Sequence, residues 1–299
     1  MGMELVKTHS EARVAFALAS DVLGMDMESL CFDTQEDTLS RTENAQPALF
    51  TVSMAAFKVL EAAGILPDAV AGFSLGECTA LCASGRISWA DGLRMVRSRA
   101  LAMQRAAETH PGAMLAVLGL PWGKVEELCR ECEGCVQPVN DNAPGNCVVA
   151  GTPSALDELS RLALVAGALR TVPLAVSAAF HTPDMAEAGA ELEDFMRRET
   201  ACKSSIIPLY TNLTGVSLPE DADLPAHMSS QMQSPVLWRQ CVSSMCESGI
   251  DTFLEVGEGR VLSGLIRRIN RLARCYPAGD PSGIDRILAQ GGYASAFTG

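Results

Sequence analysis

The chain has 299 residues, 48% of them hydrophobic, and a formal net charge of −13; a chain this long and apolar can bury a substantial core, which excludes a disordered protein. So negative a balance excludes nonspecific nucleic-acid binding, which needs clustered Lys and Arg against phosphate, and no apolar run is long enough for a transmembrane helix. The eleven cysteines, odd in number and scattered, read as reduced thiols, and the N-terminus has neither the basic nor the apolar part of a secretory signal, so a cytoplasmic protein is expected.

Apolar positions recur at helical spacing over 11–24, with Gly24 as the C-cap. A longer buried helix is expected over 44–64, starting near Pro47 and stopping at Gly64. A short apolar strand at 68–73 then runs into AGFSLGECTAL (71–81), where Ser74 lies between Gly72 and Gly76 and an Ala- and Cys-rich helix follows to Ser84. Strand, tight turn and helix, with glycine where backbone crowds its neighbour, are what a nucleophile elbow requires, although G-x-S-x-G alone is weak evidence. Arg94, Arg97, Arg99 and Arg105 come next, by default a solvated helix face.

From Ala113 the pattern changes to a strand (113–120), a helix (122–132), a hairpin (135–151), a helix (154–168) and a strand (169–176). This β-α-β-β-α-β order predicts a ferredoxin-like subdomain inserted at 112–178, with residues 1–111 and 179–299 forming the core. Cys129, Cys132 and Cys135 share C-x-x-C-x-x-C spacing; a tetrahedral site needs a fourth ligand and two of the three fall in a predicted helix, so no metal is expected. Beyond the insertion the pattern gives a helix at 184–199, strands at 205–212 and 251–257, and helices from about Val236 and over 260–273. That alternation predicts an α/β core whose C-terminal part completes the parallel sheet begun at 68–73.

A serine hydroxyl is a poor nucleophile until a base takes its proton. The four histidines are His9, His110, His181 and His227. On position alone His181, where the chain returns from the insertion, and His110 both qualify.

Six stretches go further: QPAL (46–49), GFSLGE (72–77), VNDNAPGNCVVAG (139–151), FHTPDM (180–185), QMQSPVLW (231–238) and LEVGEGRVLSGL (254–265). Together they resemble malonyl-CoA:acyl carrier protein transacylases and the acyltransferase domains of polyketide synthases. The resemblance covers nearly the whole chain and implies an α/β-hydrolase-like core with a parallel sheet and a ferredoxin-like insertion. It implies that Ser74 is the acylated serine and His181 its general base, oriented by a backbone carbonyl at Gln231. It implies that Arg99 pairs with the free carboxylate of a malonyl group and that the Leu75 N–H faces the oxyanion. Phe180, in the "AFH" form seen in malonyl-selective members, would leave little room for an α-methyl branch. Asn140 and Asn142 match positions lining the site, or simply stabilise their own hairpin.

The implied partners are malonyl-CoA and acyl carrier protein, with no cofactor, no nucleic acid and no membrane, and a monomer is expected. Acidic carrier protein would dock on the basic run of Arg267, Arg268, Arg271 and Arg274, or the run is simply a solvated helix face. The family's opening F-x-F-P-G-Q-G-x-Q strand and turn have no counterpart in the residues given, so a central parallel strand and one oxyanion N–H are expected to be missing. Phe73 and Leu237 stand where the family usually has histidine and often glutamine. A serine esterase, or an impaired carrier-protein-binding protein, are the competing expectations.

Overall fold

The computed structural model describes residues 1–176 and 178–290. Helices Ser10–Leu23, Thr42–Ala62, Trp89–Thr109 and Ala186–Glu199 pack around one large apolar cluster containing Phe16, Phe50, Met54, Leu93 and Met196. The Thr42–Ala62 helix carries Pro47 within its first two turns. Trp89 tilts against Phe50 and Phe57 at centroid distances of 5.8 and 5.5 Å, tying the second and third of these helices together. Ser88 starts the Trp89–Thr109 helix by accepting the Asp91 N–H at 3.0 Å. Along this helix Leu93, Met95 and Arg99 turn inward, while Arg94 pairs with half-buried Asp91 and Arg105 with exposed Glu191.

The parallel strands form two pairs. Strand β1 (Val70–Ala71) carries the elbow. The next four strands, β2 (Ala113–Leu118), β3 (Val136–Ala143), β4 (Asn146–Gly151) and β5 (Arg170–Pro173), form one antiparallel sheet in the order β3-β4-β2-β5. Two helices, Trp122–Glu131 and Pro153–Val165, cover one face of it. Side chains alternate as a sheet demands: Leu115, Val117 and Val149 point to those helices, and Met114, Val148 and Ala150 to the opposite face with Ala179 and Phe180. This is the strand order of a ferredoxin-like unit, as the sequence pattern predicts. Strand β3 is stitched to the core by Asp141 N–H to Val236 O (3.0 Å), Val236 N–H to Val139 O (2.8 Å) and the Arg239–Asp141 ion pair.

Strand β6 (Leu209–Tyr210) pairs with β1, and β7 (Thr252–Glu255) pairs with β8 (Arg274–Pro277), both in parallel. The expectation that the strand near 251–257 joins the sheet begun at 68–73 is corrected here: among the described residues the two pairs share no ladder. Between them lies a cleft of about 850 Å³, walled by Val70 and Ala71 on one side and Phe253 and Leu254 on the other. Other differences are local. The strand expected at 205–212 shrinks to Leu209–Tyr210, just past Pro208, which has no N–H to give a ladder. The helix expected over 260–273 stops at Ile269, and Arg274 already belongs to β8.

Candidate active site

The elbow is built by one obligatory glycine. A Cβ on Gly72 would lie 1.9 Å from the Gly76 carbonyl carbon, whereas one on Gly76 would meet nothing within 4 Å. The chain therefore crowds itself at only one of the two glycines flanking Ser74. Ser74 itself sits at φ 51, ψ −104, immediately before the helix Leu75–Ala83. It and His181 (φ 61) are the only non-glycine residues with positive φ among the described residues. Such backbone costs about 1–3 kcal/mol per residue and persists only where its surroundings over-determine it.

The two strained residues face each other. Ser74 Oγ lies 2.8 Å from His181 Nε2, and His181 Nδ1 lies 3.1 Å from the Gln231 carbonyl and 3.2 Å from that of Ser234. Carbonyls only accept, so the proton is on Nδ1 and Nε2 is left to accept the serine proton. Burial, followed by the positive charge of Arg99, pushes the His181 pKa down to about 4 from 6.5, so the imidazole is neutral near pH 7. His110 is exposed at the C-cap of the Trp89–Thr109 helix, and the choice between it and His181 falls to His181.

Arg99 completes the centre. It is 1% exposed, donating from Nη1 to Gln46 Oε1 at 2.7 Å and from Nη2 to Ser74 Oγ at 3.1 Å. Its Nε has no hydrogen-bond partner, and it makes no salt bridge among the described residues. A buried guanidinium without a carboxylate is costly, and burial lowers its pKa. Such a group beside a nucleophile is a receptor for an acid that arrives with the substrate.

Of the residues implied by the resemblance, Ser74, His181, Arg99 and the Gln231 carbonyl converge by hydrogen bonds. Leu75 begins the helix after Ser74, so its N–H is one of the orphan donors of a helix N-terminus. Phe180 is half-buried next to His181 and packs between the core and the antiparallel sheet. Asn140 and Asn142 are not hydrogen-bonded to the catalytic pair. Asn142 Nδ2 reaches Asn146 Oδ1 across its own hairpin at 3.3 Å, and the side-chain oxygens of both Asn140 and Asn142 are buried and unpartnered. Phe73 packs edge-on against Trp238 at 5.8 Å, filling with an aromatic contact the position where histidine was expected.

Sequence reading left four residues without a role. Gln46 holds Arg99. Asn212 Oδ1 accepts the Ser74 N–H and its Nδ2 donates to Gly72 O, both at 2.6 Å, while Glu77 and His227 stand behind Asn212. The one available signal was a lone glutamate in the otherwise uncharged helix LGECTALCA, which a buried cation or donor must satisfy.

Residues 1–269 match the acyl transferase domain family. The chain is 36% identical over 293 residues, 96% of it and 92% of the relative, to the malonyl CoA-acyl carrier protein transacylase of Bacillus subtilis (strain 168). It is 34% identical over 274 residues, covering 91% of this chain and 88% of the relative, to that of Staphylococcus aureus (strain COL). Among solved structures, the malonyl CoA-acyl carrier protein transacylase of Clostridium perfringens superposes with a TM-score of 0.92 at 34% identity, covering 97% of this chain and 92% of that one. A malonyl-transacylase in complex with a type II PKS acyl-carrier protein does so at 0.92 and 33%, covering 97% and 94%. The convergence of Ser74, His181 and Arg99 and these likenesses along nearly the whole chain agree: the chain belongs to the acyl transferase domain family, among the relatives of the malonyl CoA-acyl carrier protein transacylases.

Proposed function

We propose that this protein transfers a malonyl group from malonyl-CoA to the phosphopantetheine thiol of acyl carrier protein, through an ester on Ser74, in fatty-acid or polyketide synthesis. The observation that carries this reading is the buried Arg99, without an acid partner and 3.1 Å from the nucleophile. The malonyl carboxylate supplies what Arg99 lacks, and pairing the two places the thioester carbonyl over Ser74 Oγ.

His181 Nε2 takes the hydroxyl proton as Oγ attacks that carbonyl, and the negative charge that builds on its oxygen meets the Leu75 N–H. When the C–S bond breaks, the CoA sulfur leaves with the proton held by His181. The second half runs in reverse: His181 deprotonates the pantetheine thiol, the sulfur attacks the Ser74 ester, and Oγ recovers its proton. A neutral base favours this chemistry, since a protonated His181 could not accept. The backbone carbonyls of Gln231 and Ser234 do the orienting that an acidic residue performs in other serine enzymes.

Phe180 favours malonyl over α-branched acyl groups, and Arg268 and Arg271, exposed at the end of the Val261–Ile269 helix, offer a face to acidic carrier protein. Arg268 also reaches the Gly145 carbonyl at 3.4 Å, while Arg267 donates to the Cys275 carbonyl at 2.7 Å and Arg274 is paired with Asp251. Asn140 and Asn142 each keep a buried side-chain oxygen without a hydrogen-bond partner, which leaves both as candidate site walls. The same reading divides the chain into a core of 1–111 and 179–299 and a subdomain of 112–178, supported by their separate apolar clusters. No helix of the described residues is long and apolar enough to cross a membrane; we take the protein to be a cytoplasmic monomer.

The test is incubation with malonyl-CoA and, separately, acetyl-CoA, read by intact mass and by chase with holo acyl carrier protein. A malonyl ester on Ser74 that forms faster than the acetyl ester and moves to the carrier thiol is expected. No ester, or an ester lost only to water, overturns the reading.

A further inference from the structure

Next to the nucleophile lies a second group of buried polar side chains. Asn212 spends every polar atom there: its N–H goes to Glu77 Oε2 (2.9 Å), its carbonyl accepts from Leu237 N–H (2.9 Å), and its side chain clasps Ser74 N–H and Gly72 O (2.6 Å each). Glu77 is completely buried, and its other oxygen lies 2.5 Å from His227 Nε2, the salt-bridge partner it has among the described residues. Glu77 also falls in the first turn of the helix Leu75–Ala83, two residues after Leu75. A bare carboxylate there would oppose the negative charge that acyl transfer builds at the Leu75 N–H.

His227 stands on the helix Leu224–Met232, one turn before Gln231 and on the same face. The Gln231 carbonyl accepts the hydrogen bond from His181 Nδ1–H, and Gln231 Nε2 donates to the Ser74 carbonyl at 2.9 Å. One helix therefore supports the base directly and the nucleophile through two routes. The geometry points to His227 as a positioning residue for acyl transfer: it pairs with Glu77 and keeps that carboxylate clamped on Asn212, which holds the strained elbow. This rests on the reading of Ser74 as the acylated nucleophile.

The test compares the full-length parent with His227→Gln, which keeps a donor for Glu77 but no charge, with Glu77→Gln, which keeps an acceptor for Asn212 but no charge, and with the double variant. Readouts are single-turnover acylation by malonyl-CoA, its KM, thermal midpoint, and labelling of Ser74 by an organophosphorus probe that has no carboxylate. H227Q is expected to slow acylation about 10- to 100-fold, less than the roughly 10²–10³-fold of a lost oxyanion donor, with KM within about twofold. The double variant is expected within about threefold of E77Q alone, because removing the charge removes the need for its partner. A merely structural role would make the double variant the worst of the set. The inference is overturned if H227Q acylates at the parent rate, if its loss lies in KM, or if adding E77Q does not recover the rate. Should the parent form no malonyl ester while probe labelling still shows the loss and the recovery, the positioning role stands and the malonyl reading falls. Should H227Q unfold, the difference between E77Q and the double variant decides alone: a gap beyond about threefold overturns the inference.

Discussion

Arg99 and His181 act on each other through charge as well as through Ser74. The guanidinium is second only to burial among the causes that hold the His181 pKa near 4. kcat/KM for malonyl-CoA reports the free protein, so its acid limb is expected near 4, with a plateau through 6.5. A limb centred at 6.5 would contradict that assignment. The sign for stability follows from the same shift. Because the folded pKa lies below the unfolded value, the unfolded chain takes up this proton first. His181 thus contributes stability above pH 6.5 that is lost progressively as pH falls toward 4. Arg99→Ala removes one cause of the depression and should move the acid limb upward. The same substitution should erase the preference for malonyl over acetyl groups. Truncating one partner of a buried charge pair costs about 2–5 kcal/mol, on the order of 10²–10³-fold in selectivity. Equal malonyl-to-acetyl ratios in parent and variant would remove Arg99 from its role.

At the scale of the element, the turn from β1 to the helix Leu75–Ala83 shows that its two glycines are not equivalent. Gly72→Ala drives a methyl carbon into the Gly76 backbone and is expected to cost about 3 kcal/mol or more. Gly76→Ala meets nothing within 4 Å and should gain about 0.5–1 kcal/mol as a better helix former. Thermal midpoints shifted in opposite directions check the pair; equal losses would mean that the crowding is mutual. The elbow was legible because steric need writes itself as Gly-x-Ser. The base was not: His181 reaches Ser74 across 107 positions of chain, and only the resemblance chose it over His110. Gln46, Asn212 and His227 were less legible still. Each is an ordinary polar residue in its own segment, and its meaning comes from a partner brought near by tertiary packing. Arg99 shows the same limit, since its helix exposes Arg94 and Arg105, half-buries Arg97 and buries Arg99.

At the scale of the molecule, the antiparallel sheet and the parallel strands differ in how their edges are protected. Strands β2 and β4 each have a neighbour on both sides, whereas β1 and β7 are each paired on one side and border the cleft. Amide hydrogen exchange is therefore expected to be slower in β2 and β4 than in β1 and β7. Equal protection would mean that the cleft is closed in solution. The ferredoxin-like order was legible from alternation because that unit buries one face on its own helices. The split of the parallel strands was not, because a strand's pattern reports burial and not which neighbour supplies it.

That cleft bears on what copies of the protein would present to one another. An open strand edge with apolar walls is a template for another chain. Besides the Asp251–Arg274 pair, acidic side chains at Asp68 and Glu258 stand along it, on a molecule that already carries −13. Like charges there act as gatekeepers, keeping copies apart by repulsion over roughly a Debye length, about 10 Å at 0.1 M salt. Salt would weaken that guard faster than it weakens the core, so colloidal stability should fail before folding does. Light scattering at fixed protein concentration is expected to climb with sodium chloride while the thermal midpoint stays put.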